Sequence, residues 1–223
     1  MIVYFYDLLD NTYSVLQQLP VKNFIVRQML YNKGTYIPFS NQSFLVRTGY
    51  TYSISCDFDV YGIENLNNIV SSINQAKGIS DTNYYTFEAS LNSLEIAHIG
   101  LDIYTVSTTF NANGYKVSLQ EKIVNLGDTT TLYNAGNKAT YPRIVIEAPF
   151  SYFTISDGSN VLSFSQSITE GSLIIENWIA YGNTDLTIYL DGTYISLKPG
   201  FTTLSVNGVS NSQVTIYYRD TWA

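Results

Sequence analysis

Tyr52-Ser53-Ile54-Ser55-Cys56-Asp57-Phe58-Asp59-Val60 is the stretch on which the reading of the fold turns. Apolar and polar residues alternate strictly, and a strand puts successive side chains on opposite faces, so this is a strand with one buried and one polar face. The apolar pattern reaches back through Val46 and Phe44 to Phe39 and forward to Tyr61. Directly afterwards the period changes. Leu66, Ile69, Val70 and Ile73 recur at helical spacing, with Asn65 suited to cap the start and Gly78 to end it. A helix of about three turns is marginal on its own, so this one is expected to cross over or buttress a sheet.

Working outward, residues 84–132 read as several strands, among them 101–110 and 115–124, with Asn113 and Gly114 as a hairpin turn that needs positive φ. The stretch 134–140, around Gly136, has no apolar periodicity. A new strand with Tyr141, Ile144 and Ile146 follows Pro142, so two domains are expected, residues 1–133 and 134–223. The second half is punctuated by Asp157-Gly158, Gly171, Gly182-Asn183, Asp191-Gly192, Pro199-Gly200 and Asn207-Gly208. Turns that frequent leave room only for short strands, such as 172–177, 186–190 and 214–218, which is the pattern of a sandwich or jelly roll.

Composition agrees with a mainly β fold. Hydrophobic residues make up 45% of the 223 and charged ones 13%, enough for a proper core. The aromatics are dominated by tyrosine, 20 beside 11 Phe and 2 Trp, and such residues fit half-buried pleated surfaces. A formal net charge of −7 argues against general binding to nucleic acid or to an anionic membrane. Cys56 is the single cysteine, which excludes an intrachain disulfide and a zinc site of several thiolates, and points to a reducing cytoplasm as the place of synthesis. With no basic stretch leading into an apolar run at the start, and no apolar run of about 18 residues, neither an export signal nor a membrane span is expected.

Residues suited to catalysis are few. His98 is the only histidine, so a Ser-His-Asp triad would have to use it, and Ala97 and Ile99 beside it offer no nucleophile. Asp57 and Asp59 share one strand face, as carboxylates do in glycosidases and oxygen-ligand metal sites, but no further ligand follows at loop spacing. Glu170 and Glu176 flank the strand of Leu173 and Ile175, with Trp178 and Tyr181 close behind, an arrangement that could offer an aromatic platform to a sugar or belong to the core. A Gly-rich phosphate loop is missing. The expectation is a non-enzyme with no catalytic, cofactor or metal residues.

The string Asn134-Ala135-Gly136-Asn137-Lys138-Ala139-Thr140-Tyr141-Pro142-Arg143-Ile144 resembles the linker and first C-terminal strand of the distal tail (hub) proteins of long-tailed bacteriophages. Leu186, Ile188, Leu190, Asp191 and Gly192, then Leu197-Lys198-Pro199-Gly200, and finally Val214, Ile216, Tyr217, Tyr218, Arg219 and Trp222 resemble that family's closing pattern. The resemblance implies an N-terminal split β-barrel domain with one short helix and a C-terminal galectin-like β-sandwich. It further implies a homo-hexameric ring at the virion's tail tip, assembled in the host cytoplasm, touching the tail tube protein, the tail-associated protein and receptor-binding proteins. DNA would pass through the lumen without specific binding. Two other functions compete: a receptor-binding module that grips cell-wall saccharide, marked by two or more exposed aromatics together, and a glycoside hydrolase, marked by two carboxyls facing across a groove.

Overall fold

The computed structural model describes residues 1–9, 12–36, 43–209 and 212–222, and the chain divides after Gln120 into two units. The first contains β1 (Ile2–Leu9), β2 (Thr12–Pro20), β3 (Asn23–Tyr36), β4 (Ser43–Tyr61), α1 (Ile63–Gln75), β5 (Gly78–Ser80), β6 (Tyr85–Gly100) and β7 (Ile103–Ser118). The strands form an antiparallel sheet in the order β2-β1-β5-β6-β7-β4-β3, curled as an open half-barrel. Residues 39–42, the start of the alternating stretch, lie outside the described residues.

The alternation that marked β4 decides its packing. Ile54, Cys56 and Phe58 have no exposed surface, and Tyr52 and Val60 are buried with them. They share a core with Val3 and Phe5 of β1, Val106 and Phe110 of β7, and Leu66 and Ile73 of α1. The Phe5 ring meets Phe58 edge-on at 6.4 Å and Phe110 at 5.9 Å, which locks β1 over β4 and β7. The caps of α1 differ from expectation. Gly62, at φ 84, occupies the N-cap, and the Asn65 amide donates back to the Tyr61 carbonyl. Ala76 ends the helix, and Gly78 belongs to β5, where a Cβ would collide with the Thr86 hydroxyl.

The pairing of β1 with β2 shifts between Phe5 and Tyr6, where Leu16 is the extra residue on β2, while β1 itself keeps its alternation, Val3 and Phe5 entering one cluster and Tyr4 and Tyr6 the other. Tyr6 packs with Tyr13 and Val117, and its hydroxyl donates to the Thr82 carbonyl. The hairpin turn is not where the sequence placed it. Asn113 and Gly114 run inside β7, and the reversal comes at Leu101 and Asp102, whose φ values of 50 and 59 are those of a tight two-residue turn. Asn-Gly permits such a turn but does not compel it: Asn113 pairs with Thr51 of β4, and the register with β6 shifts from Ala89–Ala112 to Phe87–Lys116, so residues 113–115 form a bulge within β7 and not a reversal.

Cys56 touches the Thr108 hydroxyl at 3.0 Å, and burial pushes its thiol up to about 11. Thiolate is the reactive form, so the native protein is expected to leave Cys56 unlabelled by iodoacetamide at pH 8 and to react promptly once unfolded in urea, as mass spectrometry would read. Rapid native labelling would show that this strand opens.

The second unit, Glu121–Trp222, holds β8 (Lys122–Leu126), β9 (Thr129–Asn134), β10 (Arg143–Glu147), β11 (Phe153–Ser156), β12 (Val161–Phe164), β13 (Ser172–Glu176), β14 (Ile179–Tyr181), β15 (Leu190–Gly192), β16 (Gly200–Asn207) and β17 (Val214–Tyr218). Two five-stranded sheets result, ordered β14-β13-β10-β17-β8 and β15-β12-β11-β16-β9. Ile144, Ile146, Leu173, Ile175 and Ile216 from one sheet and Phe153, Ile155, Leu162, Phe164 and Leu204 from the other fill one core, which makes this unit a β-sandwich. The expected turns at Asp157-Gly158, Gly171, Pro199-Gly200 and Asn207-Gly208 are present, each glycine at positive φ. Residues 186–190 depart from the expected strand: Thr187–Tyr189 is a short 3-10 turn and the strand starts at Leu190.

The expected domain limit at residues 133 and 134 is corrected by strand pairing. β8 pairs with β17 and β9 with β16, so residues 121–133 complete the sandwich and do not close the first unit. The stretch 134–140 is likewise part of the second unit. Asn134 is buried, its amide donates to the Lys138 and Leu197 carbonyls, and its Oδ1 accepts the Gly136 N–H. Side-chain bonds to backbone do here what apolar periodicity does elsewhere, which is why the stretch reads as a linker.

Asp220 closes the same corner. Its carboxylate accepts from Lys122 Nζ at 2.8 Å and from the Ala135 N–H at 2.9 Å, and Lys122 also donates to the Tyr133 carbonyl. Asp220→Ala leaves a half-buried ammonium and a backbone donor without their acceptor. A loss of about 2–3 kcal/mol is expected, read as a lower urea midpoint. An unchanged midpoint would show that water replaces the carboxylate.

Candidate functional site

Each residue the sequence suggested for chemistry is already engaged or stands apart. His98 is exposed on β6 and lies stacked on Tyr104 of β7, centroids 5.0 Å apart. Neither a nucleophile nor a carboxylate contacts its ring in the hydrogen bonds and ion pairs of the described residues. Asp57 accepts from the Asn23 amide at 3.1 Å, tying β4 to β3. Asp59 is bound by Lys22 Nζ at 2.6 Å and by the Thr105 hydroxyl at 2.7 Å. These two contacts, Lys22 first, hold the Asp59 carboxyl below its ordinary range, the reverse of what a general acid needs. Among the described residues no three His, Cys, Asp or Glu side chains gather as a metal site would require.

Glu170 and Glu176 sit at opposite ends of the β13 segment. Glu170 lines a shallow recess of about 290 Å³ with Ser167, Thr169, Ser172, Asn183 and Thr184, in which it is the single carboxylate. Two carboxyls across a groove, the arrangement of glycosidases, are therefore not assembled there. Glu176 lies beside the turn of Asn177 and Trp178, whose φ values are 51 and 68. Trp178 does not join Tyr181. Its ring leans on Tyr194, centroids 5.3 Å apart, and Tyr194 also packs with Tyr141 at 6.4 Å.

The first unit instead exposes a long strand edge and apolar side chains. β3 is a 14-residue strand at one edge of its sheet, with Ile25, Val26 and Met29 exposed. Long edges of this kind present unpaired N–H and C=O groups to another chain. At one end of the sheet Tyr61 and Ile63 are exposed, as are Ile99 and Leu101 of the β6–β7 hairpin, Leu101 almost entirely. The register places Gly100, Ile103 and Tyr61 in one row, so these side chains cluster at that end. Among the described residues no helix is long and apolar enough to cross a membrane.

Comparison with solved structures finds the same architecture in the SPP1 Dit (gp 19.1) protein, at a TM-score of 0.64 over 100% of both chains and 15% sequence identity. The two chains share one fold from end to end. That protein is described as a paradigm of the hub adsorption apparatus in phages that infect Gram-positive bacteria. No family model matches the sequence and no curated protein matches it. At this identity the likeness carries the fold, both the half-barrel with its single helix and the sandwich that follows.

Sequence reading missed β1 to β3 and the partnership of Trp178 with Tyr141 and Tyr194. Val3 and Phe5 alternate with Tyr4 and Tyr6, but each set packs into a cluster of its own, so no polar face marks β1. Tyr194 carried no signal at all: its hydroxyl donates to the Pro142 and Ile175 carbonyls, contacts 52 and 19 residues distant in the chain.

Proposed function

We propose that the protein is a structural hub component of a bacteriophage tail tip, a non-enzyme that forms a ring, with six copies as the favoured number. The observation that carries this reading is the agreement of both units, in order and over the whole chain, with the fold of SPP1 Dit. Fold alone does not fix function, but a half-barrel followed by a sandwich over the full length is more specific than either unit by itself. The exposed edge of β3 and the apolar end at Tyr61, Ile63, Ile99 and Leu101 supply exposed surface for a head-to-tail contact, in which a different patch of the neighbouring copy is the partner and which closes when the rotation between copies divides the circle. Net charge −7 per chain suits a lumen through which DNA passes without adhering.

In this reading the ring joins the tail tube protein on one side to the tail-associated protein on the other, within the virion, and receptor-binding proteins attach at its periphery. Assembly takes place in the host cytoplasm, and the galectin-like sandwich decorates the ring. Negative-stain imaging of the purified protein, alone and with tube protein, tests it. Closed rings with a central channel are expected. Monomer at high concentration, with no ring on adding tube protein, would remove the reading.

A further inference from the structure

Trp178 stands where a glycine would be easiest. Asn177 and Trp178 form the whole of the two-residue connection between β13 and β14, Glu176 pairing with Ile179, and Trp178 has φ 68. Bulky side chains rarely adopt that backbone conformation, and residues held in it gather at functional sites. Core packing does not explain the choice, because Trp178 remains 50% exposed. Its ring rests against Tyr194, which is buried and fixed by donating its hydroxyl to the Pro142 carbonyl at 2.8 Å and the Ile175 carbonyl at 3.1 Å. Tyr141, 63% exposed, packs on the same Tyr194 ring. Two open aromatic rings thus share one immobile support.

We propose that Trp178 and Tyr141, seated on Tyr194, form a carbohydrate-binding ledge for a neutral pyranose oligosaccharide. The apolar C–H face of a pyranose stacks on an aromatic face because its slightly positive hydrogens meet the negative π cloud. Rigid rings lose little entropy when they bind, and Trp178 is rigid through its turn and its contact with Tyr194. Glu176 and the exposed Asn177, next to Trp178 in the chain, supply an acceptor and an amide for sugar hydroxyls. The Glu176 carboxylate repels anionic sugars, which selects neutral ones. A protein partner fits less well. Two half-exposed aromatic side chains offer roughly 200 Å², against about 800 Å² on each side of a stable protein interface.

The inference is independent of ring formation, which imaging reads, whereas this site is read by titration. Isothermal titration of the full-length protein with cellotetraose, tetra-N-acetylchitotetraose and tetragalacturonate is the test. Saturable binding of at least one neutral tetrasaccharide is expected, with a Kd of about 1 mM or tighter. Trp178→Gly, which the left-handed turn accepts without strain, is expected to weaken that binding at least tenfold while leaving the melting temperature undiminished. Trp178→Phe should keep most of the affinity, and Tyr141→Ala should lose part of it. The proposal is overturned by no neutral binding at about 10 mM sugar, by Trp178→Gly binding as the unaltered protein does, or by tetragalacturonate binding as tightly as the neutral sugars.

Discussion

A chain that ends at Gln120 is expected to be folded and soluble, whereas one that ends at Tyr133 is expected to aggregate. The difference lies in β8 and β9. In the whole protein β8 pairs with β17 over Lys122–Leu126, and β9 pairs with β16 over Thr129–Asn134. Leu132 is buried in the sandwich core, and Val124 and Leu126 pack against it. A chain of 133 residues would carry both strands with open edges and their apolar faces in water, the condition under which strands recruit other chains. Cutting at Gln120 removes them and leaves the core of Phe5, Phe58, Phe110 and Ile73 complete. Size-exclusion chromatography with light scattering and circular dichroism would separate the two cases. Equal solubility would mean that β8 and β9 find partners within the first unit, and imaging the shorter chain would show whether it closes rings without the sandwich.

Gly136→Ala is expected to destabilise the second unit by about 3 kcal/mol or more. A Cβ at Gly136 would overlap the Thr221 carbonyl oxygen and would lie 2.6 Å from Thr221 N and 2.7 Å from its carbonyl carbon. These are backbone atoms, so no side chain can swing away. Gly136 is also tied by its N–H to Asn134, whose amide is bound in turn to Lys138 and Leu197, and Thr221 accepts the Lys138 N–H. Gly158→Ala makes the control. Gly158 has φ +86 with nothing within 4 Å of the added carbon, so only backbone strain of about 1 kcal/mol applies there. Urea unfolding of both variants decides the matter: similar costs would show that the Gly136–Thr221 contact yields easily.

The elements legible from sequence were those whose signal is local. β4 from Tyr52 to Val60, the buried face of α1, and the turns at Asp157-Gly158 and Asn207-Gly208 depend on alternation, helical period or a glycine at positive φ, all properties of a few adjacent residues. The single cysteine and the solitary histidine likewise limit, by their number alone, the chemistry open to the chain. The pair Asp57 and Asp59 was correctly placed on one strand face, but its partners Asn23 and Lys22 come from or just before β3, which the alternation in β4 could not name.

What tertiary structure alone decided is where the chain divides and which aromatics meet. The stretch 134–140 is held by Asn134, whose amide donates to the Leu197 carbonyl, and by Asp220, which accepts from Lys122, and not by an apolar period, and no window of sequence contains both ends of such a bond. Trp178, Tyr194 and Tyr141 come together for the same reason: pairing of β13 with β10 sets Ile175 near Ile144, and Tyr194 then reaches across to the carbonyls of Ile175 and Pro142. Sequence by itself determined a mainly β chain with one amphipathic helix and frequent turns, since those follow from each residue's immediate neighbours. Long-range strand pairing determined the unit boundary and the aromatic ledge, because register is a property of two strands at once.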